Sequence, residues 1–229
     1  MRNFPKKNFI IVVPARFGSK SIKNKNIIQI NSIPMINYTF EKIKDIKIPK
    51  FVLSNDPRVI KIAKKFNINT SYKRPEKVST DKSSPMSLLK DFHSFAKSIY
   101  NYDYIVLLQP TSPVRGQNDI IKSIEKVNKE KLLKLTALSK SLEHPYESVY
   151  LEKKTFKSFF PQKNHTRRQD FDKNSYFING SLYIYHRSLI ENEKIKNKIK
   201  NGYYIMKKIN SFDVDDHEDL EIVRKILKK

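Results

Sequence analysis

The cationic turn holding Arg16, Gly18, Ser19, Lys20, Lys23 and Lys25 is the first group of residues in this chain that could do chemistry. Guanidinium, ammonium and hydroxyl groups beside loop amides can neutralise a triphosphate and hold its oxygens. The spacing is neither Gly-x-x-x-x-Gly-Lys-Ser/Thr nor Gly-x-Gly-x-x-Gly, so neither glycine-rich phosphate fingerprint applies. A basic surface turn accounts for the same residues, and the turn alone does not decide between the two. The second group is Asp213-Val-Asp215. On an extended segment residues i and i+2 face the same way, so these carboxylates would form a hard-oxygen site suited to Mg2+. A turn capping the last helix is the competing reading. The third is Arg167-Arg168-Gln169, with Asn179-Gly180 downstream. Paired arginines clamp a carboxylate or phosphate, and a solvated basic turn explains them as well. His93, His144, His165, His186 and His217 show no ligand spacing, and no Gly-x-Ser-x-Gly arrangement occurs. His93, beside an apolar helix face, reads as structural.

The elements that must position these groups follow from hydrophobic periodicity. Phe9 to Val13 reads as a buried strand ended by Pro14, and it opens into the basic turn. Such a strand-to-loop transition is where α/β enzymes present polyphosphate sites. Ile27 to Ile30 reads as a short extended piece. Pro34 to Ile46 forms an amphipathic helix, Phe51 to Ser54 a strand, and Asn55-Asp56-Pro57 a helix start. Thr70 to Lys73 reads as a third short strand, Met86 to Ile99 as a helix, and Tyr104 to Leu108 as the second most apolar strand. A helix follows from about Gln117 to Val127. Strands alternating with helices of this length indicate a doubly wound α/β fold with a mostly parallel sheet. From roughly Ser139 to Asn174 the pattern turns to strands without long helices, an antiparallel lobe or arm. The core resumes with a strand from Tyr176 to Tyr185, then a helix from about Arg187 and a strand from Tyr203 to Met206. The chain closes on a helix from Asp216 to Leu227, with Asp216 and Asp219 as its cap.

With 229 residues, the chain suits one domain or one domain with a small lobe. The net charge of +23 raises nucleic acid as a partner class, but the lysines are scattered and a solvated surface explains them. The absence of cysteine excludes disulfides and thiolate metal sites. The N-terminal residues form neither a signal peptide nor a membrane span, so a cytoplasmic protein is expected. Only four glycines occur, and three of them, Gly18, Gly116 and Gly180, fall in or beside the segments singled out for chemistry.

PARFGSKSIKNKN resembles the signature of the CMP-N-acetylneuraminate synthetase (acylneuraminate cytidylyltransferase) family. The resemblance continues in order through LSNDPRVIKIAKKF, YKRPEKVSTDKSS, LLQPTSPVR, RRQDF, NGSLYIY and FDVDDHEDLE, spanning nearly the whole chain. It implies a Rossmann-like single domain over residues 1–229. It also implies that the lobe at 139–174 mediates dimerisation and reaches into the partner subunit's site. The implied activity is cytidylyl transfer from CTP to a nine-carbon acidic sugar, with Mg2+ and release of pyrophosphate. Carried over by position, Arg16, Ser19 and Lys25 meet the triphosphate, and Asn26, Arg74 and Ser83 surround the cytidine. Gln109, Arg168 and Gln169 fall at the sugar, and Asp213 and Asp215 become the metal carboxylates. Lys25 and Arg168 are then the catalytic cations. Ser21, Asn55, Pro85 and Glu147 depart from the family pattern, and the interval from Arg168 to Asn179 is one residue longer. The expected partners are CTP, an acidic sugar and a second copy of the chain, with neither membrane nor nucleic acid. The alternatives are a nucleotidyltransferase for an eight-carbon ketosugar acid and, from another class, a basic nucleic-acid-binding protein.

Overall fold

A computed structural model describes residues 7–19, 21–81, 83–160, 174–192, 194–195, 199 and 201–228. The sheet is organised around strand β1, Phe9–Ala15, whose first five residues are fully buried. Its side chains alternate between two cores, as the period-2 geometry of a strand requires. Phe9, Ile11, Val13 and Ala15 enter the first, with Ile36, Phe40, Val59, Ala63, Ile120 and Ile124. Ile10 and Val12 enter the second, with Leu88, Leu89, Phe92 and Ala96. The first core is therefore roofed by helices α1 (Met35–Ile43), α2 (Pro57–Lys65) and α4 (Gln117–Glu130). The second is covered by α3 (Pro85–Ala96) and the single turn α5 (Ser188–Glu191).

The short hairpin β2 (Gln29–Ile30) and β3 (Ile33–Pro34) precedes α1, and strands β4 (Lys50–Ser54), β5 (Tyr104–Leu108), β6 (Lys134–Lys140) and β9 (Tyr176–His186) lie between α1 and α5. Strand β10, Gly202–Ile205, follows α5. The sheet order is β10-β6-β9-β5-β1-β4. β1 runs parallel to β4 and β5, and β10 parallel to β6, while β9 is antiparallel to both β5 and β6. Five strands thus point one way and β9 runs against them. The fold is the layered α/β architecture with a mostly parallel sheet that the alternation of strands and helices implied. The chain moves from β1 outward to β4 and then returns to place β5 on the other side of β1. That reversal opens a crevice at the carboxyl ends of β1 and β5, where ligands of such sheets bind.

Two further units matter for the site. The last helix, α6 (His217–Ile226), docks Leu220 and Val223 into a third small core with Ile22, Ile30, Met35 and Val214. Asn31 and Arg224 tie α6 to the β2–β3 hairpin through backbone carbonyls. Strands β7 (Val149–Glu152) and β8 (Thr155–Ser158) form a separate antiparallel hairpin. Its Leu151 is 83% exposed and Phe156 65%.

Some local expectations fail. Thr70 to Lys73 is not a strand: one parallel bridge at Asn69 is all that joins this stretch to β4, because the chain then leaves the sheet edge toward the crevice. Ile27 to Ile30 is not one extended piece, since a 3-10 turn at Lys25–Ile27 precedes the two-residue strand β2. The helix from Arg187 shrinks to one turn. No helix among the described residues is long and apolar enough to cross a membrane.

Candidate functional site

The basic turn leaves β1 at the crevice, and the neighbouring elements hold its shape. Ser54 at the end of β4 donates to the Ala15 carbonyl, and its oxygen accepts from the Asp56 amide. Buried Asp56 caps α2 and grips Arg58. Arg58 then donates to the Asn24 side-chain oxygen Oδ1 at 2.9 Å and stacks over the Phe17 ring. The Phe17 amide donates to Asn55 at 2.7 Å, and the Asn26 side chain donates to the Arg16 carbonyl at 3.1 Å. Gly18 has φ +74°, a left-handed conformation that residues with a Cβ rarely adopt. Phe17 and Asn24 are thus held by residues at the end of β4 and the start of α2.

A cavity of about 270 Å³ lies between this turn and the ends of β1 and β5, lined by Arg16, Ser19, Lys25, Asn26, Arg74, Ser83 and Gln109, among others. Leu88 and Leu107 give it an apolar wall. Arg16 reaches across to Asp81, 65 residues on in sequence. The Arg74 guanidinium is anchored on the Val78 carbonyl. Burial, then the nearby Arg16 charge, pull its pKa down to about 10, against the raising effect of Tyr72, so it stays cationic at neutral pH. Ser83 donates to the Lys77 carbonyl and accepts from the Thr80 amide, which closes the loop before α3. Pro85 is the first residue of α3, capped by Ser84. Arg168 and Gln169 lie outside the described residues, as do Lys20 and Arg167.

The structure brings the two ends of the site together through Lys25. Its ammonium donates to the Val214 and Asp215 carbonyls, both at 3.0 Å, and to Asp215 Oδ1 at 3.3 Å. Val214 is also held by its amide on the Thr111 carbonyl at 2.8 Å and by its side chain in the third core. Asp213 accepts from the Ser112 hydroxyl at 2.9 Å. Burial pushes the Asp213 carboxyl up, helped by the Asp215 charge, while hydrogen bonds from Thr111 and Ser112 and the Lys25 charge act the other way. The Asp215 amide donates to Asp219 in the first turn of α6. Asp213 and Asp215 both line a second cavity of about 520 Å³, with Asn179, Gly180 and Lys208. Gly180, at φ +73°, leaves Asp213 Oδ2 only 3.6 Å from where a Cβ would sit. Asn179 is buried and bonds to Ser139 and to the Ser181 amide, which is a structural commitment.

Among the described residues no group of three or more His, Cys, Asp or Glu could hold a metal ion. Asp213 and Asp215 still suit one cation type. Mg2+ binds through one or two carboxylates and fills its remaining positions with phosphate oxygens and water. Two oxygen donors at the meeting point of a cationic turn and an open cavity fit that pattern.

Sequence reasoning missed Arg115. Its side chain is fully buried and donates to the Gln109 carbonyl at 3.1 Å, the Ser181 carbonyl at 2.6 Å and the Thr39 hydroxyl at 3.1 Å. Burial pulls its pKa down to about 10, opposed by Asp213 and Asp119. Arg115 thus rivets the Gln109–Ser112 loop to β9 and α1. Glu147, a departure from the family pattern, accepts from the His144 amide and caps a 3-10 turn.

A family described as Cytidylyltransferase matches residues 10–228. The chain is 31% identical to the post-translational flagellin modification protein B of Campylobacter coli, over 96% of this chain and 95% of that protein. It is 30% identical to an N-acylneuraminate cytidylyltransferase of Escherichia coli, over 96% of this chain and 52% of that longer protein. It is 28% identical to a CMP-N,N'-diacetyllegionaminic acid synthase of Campylobacter jejuni, over 93% and 92%. A solved CMP:2-keto-3-deoxy-manno-octonic acid synthetase complexed with CTP has the same fold, with a TM-score of 0.72, 19% identity, and coverage of 96% of this chain and 98% of that one.

Proposed function

The chain belongs to the cytidylyltransferase family, and from that premise we propose that it activates a nine-carbon acidic sugar with CTP, giving the CMP-sugar and pyrophosphate. The sugar is of the sialic, legionaminic or pseudaminic acid type. The observation that carries this reading is the Lys25 bridge from the basic turn to the Asp213–Asp215 segment. It joins a cavity lined by Arg16, Ser19, Arg74 and Ser83 to one lined by two carboxylates.

In this reading CTP occupies the smaller cavity. Arg16, Ser19 and Lys25 meet the triphosphate, while Asn26, Arg74 and Ser83 surround the cytidine. The sugar lies beyond Gln109, toward the larger cavity, with Arg168 and Gln169 on its acid side. The anomeric hydroxyl oxygen attacks the α-phosphorus in line, and the bond from that phosphorus to the bridging oxygen of pyrophosphate breaks. Charge grows on the phosphate oxygens, and preorganised cations lower that barrier most. Asp213 and Asp215 would hold Mg2+, which supplies Lewis-acid stabilisation of those oxygens. Lys25 acts twice: it lines the nucleotide cavity, and its three hydrogen bonds fix the Val214–Asp215 segment that carries the metal carboxylates.

Two copies are proposed to associate through the β7–β8 hairpin, whose Leu151 and Phe156 side chains are exposed. The eight-carbon alternative shares the fold alone, at 19% identity. The test is pyrophosphate release from CTP and Mg2+ with a panel of nine- and eight-carbon sugar acids. Release with a nine-carbon acid supports the assignment, and silence with every acid from folded protein overturns it.

A further inference from the structure

Asp119 is a buried carboxylate that the reaction above does not use. It is 5% exposed, sits in the first turn of α4 and lines neither cavity. A carboxylate taken out of water is tolerated only where donors meet its oxygens. Asp119 meets three. Its Oδ2 accepts from the Gly116 amide at 2.9 Å and from the Asn210 side chain, 91 residues on, at 3.0 Å. Its Oδ1 accepts from the Tyr204 hydroxyl at 3.3 Å. Burial, then the Asp119 charge and hydrogen bond, push the Tyr204 pKa up to about 12, so that hydroxyl stays a donor at neutral pH. A Cβ on Gly116 would sit 2.9 Å from Asp119 Oδ2 and 3.4 Å from Asn210 Nδ2. This glycine is therefore needed for close approach, not for its φ of −79°.

These contacts join two stretches of chain that both lead to Asp213. Gly116 ends the loop that carries Ser112, whose hydroxyl donates to Asp213 at 2.9 Å. Asn210 belongs to the 3-10 turn Lys208–Ser211, which runs through Phe212 into Asp213. Ser211 is 6% exposed, and its hydroxyl closes that turn on the Lys208 carbonyl at 2.8 Å. Asp119 and Ser112 thus complete a ring of chain that fixes Asp213 from both sides. Mg2+ demands near-ideal octahedral geometry, so a displaced carboxylate costs affinity.

We infer that Asp119 is a positioning residue: through Asn210 it sets where Asp213 presents its carboxylate, and so tunes divalent-cation affinity without touching the cation. That role rests on the cation lying at Asp213 and Asp215, as proposed above. Tyr204 ties the same carboxylate to β10 rather than to the turn, so its bond serves stability alone.

The test uses the full chain in excess over CTP, with no sugar, and Mn2+ as the probe, because carboxylate and water ligands suit both ions. Free Mn2+ is read by electron paramagnetic resonance for wild type, Asn210→Ala, Tyr204→Phe and Asp213→Ala. Asn210→Ala cuts the tie to the turn and leaves the Asp119 charge near buried Arg115. It is expected to weaken Mn2+ binding on the order of tenfold, the usual effect of losing an outer-shell partner. Tyr204→Phe removes a bond to the same carboxylate and is expected to leave Mn2+ binding unchanged. With a nine-carbon acid added, turnover of Asn210→Ala is expected to recover as Mn2+ is raised. Unchanged Mn2+ affinity in Asn210→Ala overturns this inference alone, provided that Asp213→Ala binds Mn2+ more weakly than wild type. Equal weakening in Asn210→Ala and Tyr204→Phe overturns it too, since it marks a general loosening. Wild type and Asp213→Ala binding Mn2+ alike overturns the placement of the cation and takes this inference with it.

Discussion

At the scale of single residues, Lys25 and Asp213 carry the most weight in the proposed reaction. Removing one preorganised charge from a site where charge develops costs on the order of a hundredfold or more in turnover. Lys25→Ala and Asp213→Ala are each expected to lose CMP-sugar formation at that level while keeping a cooperative thermal transition. Steady-state rates beside circular dichroism melts check this, and wild-type turnover in both would remove the site. A second prediction concerns pH. His93 contacts Tyr102 and Glu191, and burial pulls its pKa down against the opposing pull of Glu191. The unfolded chain therefore binds more protons than the folded one once pH drops below the ordinary histidine value of about 6.5. His93 thus leaves stability intact above that value and subtracts from it as pH falls toward the folded-state pKa. The melting temperature of wild type should drop more steeply than that of His93→Gln between about pH 7.5 and pH 5.5. Residue types showed where the charges are but not which are spent. Arg115 and Lys208 are two of 46 cations. Nothing local distinguishes the one that is buried and fully bonded from the one that opens onto a cavity.

At the scale of elements, the site depends on α6 more than its peripheral position implies. Leu220 is 2% exposed and belongs to the small core that also holds Val214 and Ile22. Leu220→Ala should cost about 2–5 kcal/mol, as buried Leu truncations do, measured by urea denaturation. Activity should fall at temperatures where the sheet remains folded, because the Asp213–Asp215 segment loses its support. Asp216→Ala removes only the cap and should cost about 1 kcal/mol. β1, α1, β4, α2, α3, β5 and α4 were legible because each buries one clean face, so its apolar period survives in the sequence. Thr70 to Lys73 misled because a polar stretch with a single bridge at Asn69 carries the same residue types as an edge strand. The turn α5 misled because its two buried residues, Leu189 and Ile190, look like the start of a longer apolar face.

At the scale of the whole molecule, the β7–β8 hairpin stands apart from the sheet with Val149, Tyr150, Leu151 and Phe156 exposed. Contiguous apolar surface of this kind marks an association site. Leu151→Asp combined with Phe156→Asp should shift sedimentation from dimer to monomer without changing the fold. A wild type already monomeric at micromolar concentration would refute the proposed pairing. In the proposed reading the net charge of +23 is a weaker guide, because Arg16, Lys25 and Arg74 line the cavity at the crevice. Affinity for DNA, measured by filter binding at two salt concentrations, should be weak and show no sequence preference.

The Lys25 bridge also constrains how the protein can come into being. The turn that follows the first strand is anchored by backbone carbonyls that come after the last strand. A chain still emerging from the ribosome can therefore lay down nearly all of its sheet and remain incapable of turning over nucleotide. In the proposed reading, competence requires the Val214–Asp215 segment to dock on Lys25. A proteolytic nick anywhere between β10 and α6 should silence the enzyme long before it unfolds it.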